Sequence, residues 1–455
     1  MNDTPLLLSV SGMRGIVGQS LTEPVVSRYA MAFGRWLKRR GLSLPVVVVG
    51  RDSRPSGRNL ETAVAEGLVR AGCRPIRLGI VSTPGVAVML KSLGADGGLI
   101  VTASHNPQQW NGIKALRGDA TAPAASEVEQ IIELYQQRIE DSGAISSVRS
   151  VGSNAMASQV HCEVVLDQID VDLIRKAKFR VVVDSVCGAG GSEVATLLKR
   201  LGVDLIHLHA NPTGHFPHGP EPLKENLSEL CAAVCKHDAQ IGFAQDPDAD
   251  RLAIVDEHAS YIGEEYTLAF CVLHTLQDGQ VTVANLSTSR MIDDIAARVG
   301  ATVERTAVGE ANVAAAIRRH GAMIGGEGNG GVIWGPVCHV RDSLVSMALV
   351  LELLAKRKCT VSDAVQSIPR YAIVKEKFPM DPRMVGQLGP RLNKCFASQQ
   401  IDEQDGVRID YSDRWIHVRP SNTEPILRLI AEASTEADAR SLIAEARKAL
   451  ESDPA

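Results

Sequence analysis

No stretch of the 455-residue chain approaches the roughly 18 apolar residues that a bilayer-spanning helix needs, so no membrane span is expected. The early run Leu6, Leu7 and Leu8 has no basic region before it and is far too short for a secretory core. Lysine and arginine form no block of the kind that tracks nucleic acid. The trio Lys38, Arg39 and Arg40 reads instead as a helix end, where cations suit the negative pole of the dipole. Cysteine is odd in number and scattered: nine residues without a CxxC pair fit thiols in a reducing compartment, not a disulfide scaffold. Cys231 and Cys235, four apart in an amphipathic stretch, read as core packing. Together these absences predict a cytoplasmic protein that takes neither nucleic acid nor membrane as a partner.

What remains is ordinary for a globular chain: 45% apolar and 22% charged residues, a net charge of -5 and a mean hydropathy of zero. The length exceeds one hydrophobic core and predicts two to four domains.

A weak internal repeat organises the chain. In its first copy a strand at 46–49 runs into the turn Gly50, Arg51, Asp52. A helix follows over 60–71 and stops at Gly72, then strands come at 76–80 and 98–101, the last opening into TASHNP at 102–107. The second copy has a strand at 181–183, a turn over 184–191, a helix ending at Gly202 and a strand at 203–208. Its last strand, 240–244, opens into DPDADR at 246–251. The third has a strand at 281–284, a helix ending at Gly300, a strand through Val303, and a strand at 322–324 opening into GEGNGG at 326–331. Valine-rich runs suit a sheet buried on both faces, and glycine after each helix is a left-handed stop. From about Ala364 the pattern changes to strands at 373–378, 407–411, 415–418 and 427–433 with a closing helix over 436–451. The expected fold is therefore three related mixed α/β domains plus a C-terminal α+β domain around a central cleft. The expected boundaries are 1–152, 153–256, 257–366 and 367–455. Ligands of open α/β sheets sit outside the carboxyl ends of strands, so the three loops would form one composite site.

Each loop carries its own chemistry. Ser104 in TASHNP sits at a strand end, placed to act as a nucleophile or carry a phosphoryl group, the alternative being a serine that caps the next helix. Arg14 and Lys114 add cations that a phosphoserine would need. In DPDADR, Asp246, Asp248 and Asp250 alternate, so in an extended loop their side chains fall on one side, where a hard divalent cation such as Mg²⁺ would relieve their repulsion. An EF-hand reading places Glu257 twelfth, but Arg251 stands where that loop requires glycine and the flanks read as strands. Glu327 and Asn329 in GEGNGG could hydrogen-bond vicinal sugar hydroxyls, amid glycines that let backbone approach a ligand. In the tail, RPSNTEPILR at 419–428 collects Arg419, Ser421, Asn422, Thr423 and Arg428 into an anion nest.

With these motifs in this order the chain resembles the α-D-phosphohexomutase family from end to end, and GRDSRP at 50–55, HGPEP at 218–222 and RTAVGE at 305–310 look like family segments too. The resemblance implies a phosphoserine at Ser104 and one Mg²⁺ held by Asp246, Asp248, Asp250 and a Ser104 phosphoryl oxygen. It implies sugar contacts from Glu327 and Asn329, and a clamp on the non-reacting phosphate from Arg419, Ser421, Asn422, Thr423 and Arg428. Arg14, His105, Lys114 and Arg251 match positions near the phosphoserine, with Lys114 a candidate for proton transfer. The implied reaction converts hexose 6-phosphate and hexose 1-phosphate through a 1,6-bisphosphate, in a monomer or homodimer acting on small sugar phosphates. Many relatives end the sugar loop in histidine, as in GEMSGH, where this chain has Gly331. The clamp has Asn422 in place of a common glycine. GEGNGG and the SGMRG start at 11–15 look most like the phosphoglucosamine mutase branch. Glucosamine phosphate is therefore the expected substrate, ahead of mannose or glucose phosphate and of a non-catalytic sugar-phosphate sensor. A serine hydrolase is disfavoured, since Ser104 lacks a GxSxG elbow.

Overall fold

The computed structural model describes residues 6–9, 12–137, 152–379, 386, 388–420 and 426–451. Three sheets repeat one strand order. In the first unit Trp110–Arg117, Gly97–Val101, Val46–Arg51 and Arg74–Ile80 lie side by side, extended by Leu7–Ser9 and Gly12–Ile16 at one edge and Gly152–Ser153 at the other. In the second the order is Leu252–Val255, Ile241–Gln245, Arg180–Asp184, Asp204–Leu208. The third has Gly331–Trp334, Ile324–Glu327, Val281–Asn285, Thr302–Thr306. Within each unit three strands run parallel, and the fourth returns antiparallel to the strand that ends at the chemical loop. Each such loop is thus the tip of a hairpin at the carboxyl edge of a sheet.

The helices Gly57–Arg70, Gly191–Arg200 and Met291–Arg298 all stop just before a glycine in the left-handed region, at φ +77, +67 and +74. The first strand of each unit is mostly buried and valine-bearing, as a sheet covered on both faces requires.

The third unit departs from expectation. Its strand spans Ile324–Glu327, not 322–324, so Glu327 belongs to the sheet and not to the loop. Gly325 and Gly326 read as loop residues, yet they are buried strand positions packed too closely for a side chain. A Cβ on Gly326 would meet Gly331 O at 2.3 Å, and one on Gly325 would meet Val283 O at 2.5 Å.

The tail folds as a five-stranded sheet, in the order Ala372–Pro379, Ile426–Ala433, Trp415–Pro420, Val407–Asp410, Gln400–Asp402, with helices Leu388–Cys395 and Glu436–Glu451 against it. The short edge strand Gln400–Asp402 was not expected. One continuous apolar core runs through the three repeated units, from Val48 through Phe243 to Trp334, whereas the tail has its own around Leu392, Ile416 and Ile443.

Of the pair Cys231 and Cys235, the first packs half-buried against the core and the second is exposed. Helix Ser228–Lys236 buries Leu230, Ala233 and Val234, so the seam belongs to the Leu230–Val234 pair and the cysteines, one position on, turn toward the rim. Among the described residues no helix is long and apolar enough to cross a membrane.

Candidate active site

The turn after the first strand cradles the serine loop from behind. Arg54, fully buried, donates Nη2 to the carbonyls of Ser104 and Asn106 at 2.7 Å and Nη1 to that of Pro107 at 3.0 Å. Asp52 balances it, 3.0 Å from Nε, and also accepts from Thr102 Oγ1 at 2.7 Å. These contacts hold Ser104 at φ +50, a left-handed conformation that costs a non-glycine residue of order 1–3 kcal/mol. The GRDSRP segment therefore acts on the serine without touching ligand.

Ser104 Oγ donates to Asp246 Oδ2 at 2.9 Å, bridging residues 142 apart in the chain. His105 Nδ1 lies 3.3 Å from the same hydroxyl. Burial, reinforced by Arg251 and Arg14, pushes His105 well below the usual histidine range, so its ring is neutral. Arg14 Nη1 donates to Asn106 Oδ1 at 2.9 Å. Arg251 Nη1 donates to Glu221 Oε1 at 3.0 Å, tying in the HGPEP segment.

The three aspartates converge, but not through an extended loop. The chain turns over 247–249 with Ala249 at φ +54, and that turn gathers the carboxylates. All three are fully buried. Asp246 Oδ1 accepts the backbone N–H groups of Asp250 and Arg251 at 3.1 and 3.2 Å. Asp248 Oδ2 accepts from Thr83 Oγ1 and Lys114 Nζ, each at 2.6 Å. Asp250 Oδ2 accepts from Lys114 Nζ at 2.9 Å and Arg341 Nη2 at 2.6 Å. Asp248 Oδ1 and Asp250 Oδ1 are buried with no hydrogen-bond partner. Orphaned anionic oxygens are costly in a protein interior. One ligand oxygen from each aspartate lies within 4.8 Å of the others, an all-oxygen set that could hold a hard divalent cation and fits Mg²⁺.

The charges are strongly coupled. Burial, then Asp250 and Asp248, raises the Asp246 carboxyl well above the ordinary range. Burial works the same way on Asp250, but Arg341, Lys114 and Arg251 outweigh it and lower that group. For Lys114, burial is overcome by Asp248 and Asp250, and the ammonium is held charged.

Arg341 and Glu310 were not singled out from the sequence. Arg341 Nη1 donates to Glu327 Oε2 at 2.8 Å, and its Nε lies 3.3 Å from Glu310 Oε2, so this one side chain ties the aspartate loop to the sugar loop. Glu310 closes RTAVGE, a segment the resemblance did mark. Thr83, at the start of helix Thr83–Ser92, carried no signal. Glu327 also accepts from Asn285 Nδ2 at 2.8 Å and Gly309 N at 3.1 Å, while Asn329 reaches it at 3.4 Å.

A cavity of about 530 Å³ opens over this cluster, walled by Arg14, Lys114, Arg251, Asn329, Arg341 and Arg428, among others. Ser104 is 1% exposed and is not part of that wall. Arg428 thus brings the tail to the cleft. Arg419 is placed against Asp405, with Nε 3.0 Å from Oδ2. Ser421, Asn422 and Thr423 lie outside the described residues.

A cationic cavity wall whose Lys114 and Arg341 bond a buried, oxygen-only acidic cluster beside a serine suits phosphoryl transfer, where positioning and charge stabilisation supply the catalysis. The class follows from the comparisons. Residues 6–141, 159–261 and 264–371 match phosphoglucomutase/phosphomannomutase α/β/α domains I, II and III, and residues 358–449 match the C-terminal domain of the same proteins. The chain belongs to the phosphoglucomutase/phosphomannomutase family, whose members are phosphohexomutases of the isomerase class. It is 36% identical to a "Phosphoglucomutase/phosphomannomutase" of Thermococcus kodakarensis over 98% of both chains. It is also 36% identical to a "Probable phosphoglucosamine mutase" of Methanopyrus kandleri over 95% of both. A crystal structure of a phosphoglucomutase/phosphomannomutase family protein from Burkholderia thailandensis superposes with a TM-score of 0.84 at 27% identity, covering 98% of this chain and 96% of that one.

Proposed function

We propose that this protein interconverts a hexose 6-phosphate and a hexose 1-phosphate by passing a phosphoryl group through Ser104, with glucosamine phosphate as the preferred substrate. The observation that carries the reading is the 2.9 Å contact between Ser104 Oγ and Asp246 Oδ2 beside two carboxylates with unpartnered oxygens. Asp246, Asp248 and Asp250 would hold Mg²⁺, which when bound supplies positive charge to the phosphoryl oxygens.

In the forward half-reaction the P–Oγ bond of phosphorylated Ser104 breaks and a P–O bond forms to the free hydroxyl of the sugar phosphate. The product is a hexose 1,6-bisphosphate. The proton of that hydroxyl needs an acceptor, and His105, neutral and next to Ser104 Oγ, meets the requirement. Lys114, Arg14 and Arg251 act as fixed positive charges around the transferring group. Lys114, gripped by two aspartates, is a poor proton acceptor but a good electrostatic stabiliser. The bisphosphate then turns and returns its other phosphoryl group to Ser104. During both halves the tail clamp of Arg419, Ser421, Asn422, Thr423 and Arg428 would hold the phosphate that is not reacting. Both sugar-loop residues, Glu327 and Asn329, line the cavity and could meet a sugar hydroxyl.

The GEGNGG loop and the SGMRG start support the amino sugar. A second reading, mannose or glucose phosphate, is supported by the equal identity to relatives named for different sugars. A coupled assay with glucosamine, mannose and glucose 6-phosphates tests the order, and kcat/KM should be highest for glucosamine 6-phosphate. Intact-protein mass should show one phosphoryl group that Ser104→Ala lacks. An unphosphorylated native protein without turnover on any of the three would favour the sugar-phosphate sensor.

A further inference from the structure

A second group of metal-ligating side chains lies away from the cleft wall, at the carboxyl edge of the second sheet. Asp184 ends strand Arg180–Asp184, His209 follows strand Asp204–Leu208, and His218 comes from the loop beyond it. One ligand atom from each falls within 4.8 Å of the other two. His218 Nε2 is 2.9 Å from Asp184 Oδ2, and His209 Nε2 is 4.0 Å from the same oxygen and 3.2 Å from Glu229 Oε2. Ligand atoms around one tetrahedral zinc ion sit about 3.3 Å apart, a spacing these distances bracket.

Three features indicate a built site. The second ring nitrogen of His218, Nδ1, faces the carbonyl of Gly219 at 2.9 Å. A ring nitrogen held by a backbone carbonyl is how metal-bound histidines are oriented, and an ion would take the place of the hydrogen bond between Nε2 and Asp184 Oδ2. Asp184 Oδ1 accepts from Val186 N at 2.8 Å, which fixes the carboxylate with Oδ2 facing both histidines. The backbone around the cluster is strained: Val186, Cys187 and His209 have φ of +46, +53 and +47, left-handed values that non-glycine residues keep only where something else fixes them.

We propose that Asp184, His209 and His218, with Glu229 in reach as a fourth ligand, bind a divalent transition metal ion of the zinc type. The mixed nitrogen and oxygen donors select against Mg²⁺, so this site is chemically distinct from the aspartate loop. It does not depend on the mutase reading. The ion fixes the loop that delivers Glu221 to Arg251.

The test uses the full chain, stripped with chelator and kept in excess Mg²⁺, then titrated with Zn²⁺ by calorimetry and with Co²⁺ by visible absorption. One equivalent of Zn²⁺ should bind, and Co²⁺ should give the intense visible bands of a tetrahedral site. Both signals should survive in Asp248→Asn. His209→Ala and His218→Ala should each weaken Zn²⁺ at least 100-fold without changing the circular dichroism spectrum, and Glu229→Ala, on an exposed side chain, should weaken it about 10-fold. The absence of Zn²⁺ binding in excess Mg²⁺ would overturn the proposal, as would equal affinity in folded His209→Ala and His218→Ala proteins.

Discussion

Arg341 touches three carboxylates at once: Asp250 at 2.6 Å, Glu327 at 2.8 Å and Glu310 at 3.3 Å. Removing one member of a buried ion pair typically costs 3–5 kcal/mol, because the partner is left uncompensated. Arg341→Met should therefore lower the thermal midpoint sharply and cut kcat/KM, while Arg341→Lys, which keeps charge but loses the planar fork, should fall between. Gly331 gives an independent route to the same residue. A Cβ there would sit 2.2 Å from Arg341 Cδ, so Gly331→His should expel the guanidinium and lose activity to a similar extent. Full activity in Gly331→His would show that Arg341 is dispensable. Asp248→Asn should behave differently. It removes one charge from a crowded acidic cluster, so activity should drop at least 100-fold while the thermal midpoint stays within a few degrees. Normal turnover at ordinary Mg²⁺ would refute the metal assignment. Ser104 and the aspartates were legible in sequence because each motif packs its chemistry into six residues. Arg341 was not: it belongs to none of the motifs, and its partners lie 91, 14 and 31 residues away.

At the scale of elements, the helix that recurs in each unit and the parallel strands were readable from periodicity and valine runs, but two of the returning strands were not. Trp110–Arg117 is broken by Gly112 and Lys114, and Gly331–Trp334 is only four residues long. Their pairing is set by partners rather than by their own propensity. Contacts between helices were equally hidden. His161, on helix Ala157–Leu166, is fully buried with Nε2 2.7 Å from Asp342, the N-cap of helix Ser343–Arg357, and Nδ1 3.9 Å from Glu193. Burial alone would lower this imidazole, but Asp342 and Glu193 outweigh it and push it up to about 10 from 6.5. A pKa raised on folding stabilises the folded state below the unfolded value, so the contribution is complete below about pH 6.5 and is lost as pH climbs through 10. The thermal midpoint should fall across that window, and His161→Gln should flatten the fall. Parallel curves for the two proteins would contradict the assignment.

For the molecule as a whole, the decisive fact is where the apolar core stops. The three repeated units share one continuous core, whereas among the described residues the tail keeps its apolar cluster to itself. The tail meets the third unit through polar contacts. Glu432 accepts from Arg290 N at 3.0 Å, Ser287 Oγ lies 2.9 Å from His417 Nδ1, Asp405 accepts from Val308 N at 3.1 Å, and Lys375 pairs with Glu264. Interfaces of this kind permit relative motion of the domains they join. The cleft wall carries Arg428 of the tail as well as Arg14 and Lys114 of the first unit, so a ligand anionic at both ends would neutralise repulsion among them and draw the tail toward the first unit. Small-angle scattering should therefore show a smaller radius of gyration on saturation with a hexose phosphate, and a larger change with a 1,6-bisphosphate, whose second charge engages both walls. The contraction should persist in Ser104→Ala, because it depends on the charges of the walls and not on transfer. A radius unchanged by saturating bisphosphate would mean that the polar seam already locks the tail, and the proposed mechanism would then require the intermediate to turn in a cleft of fixed width.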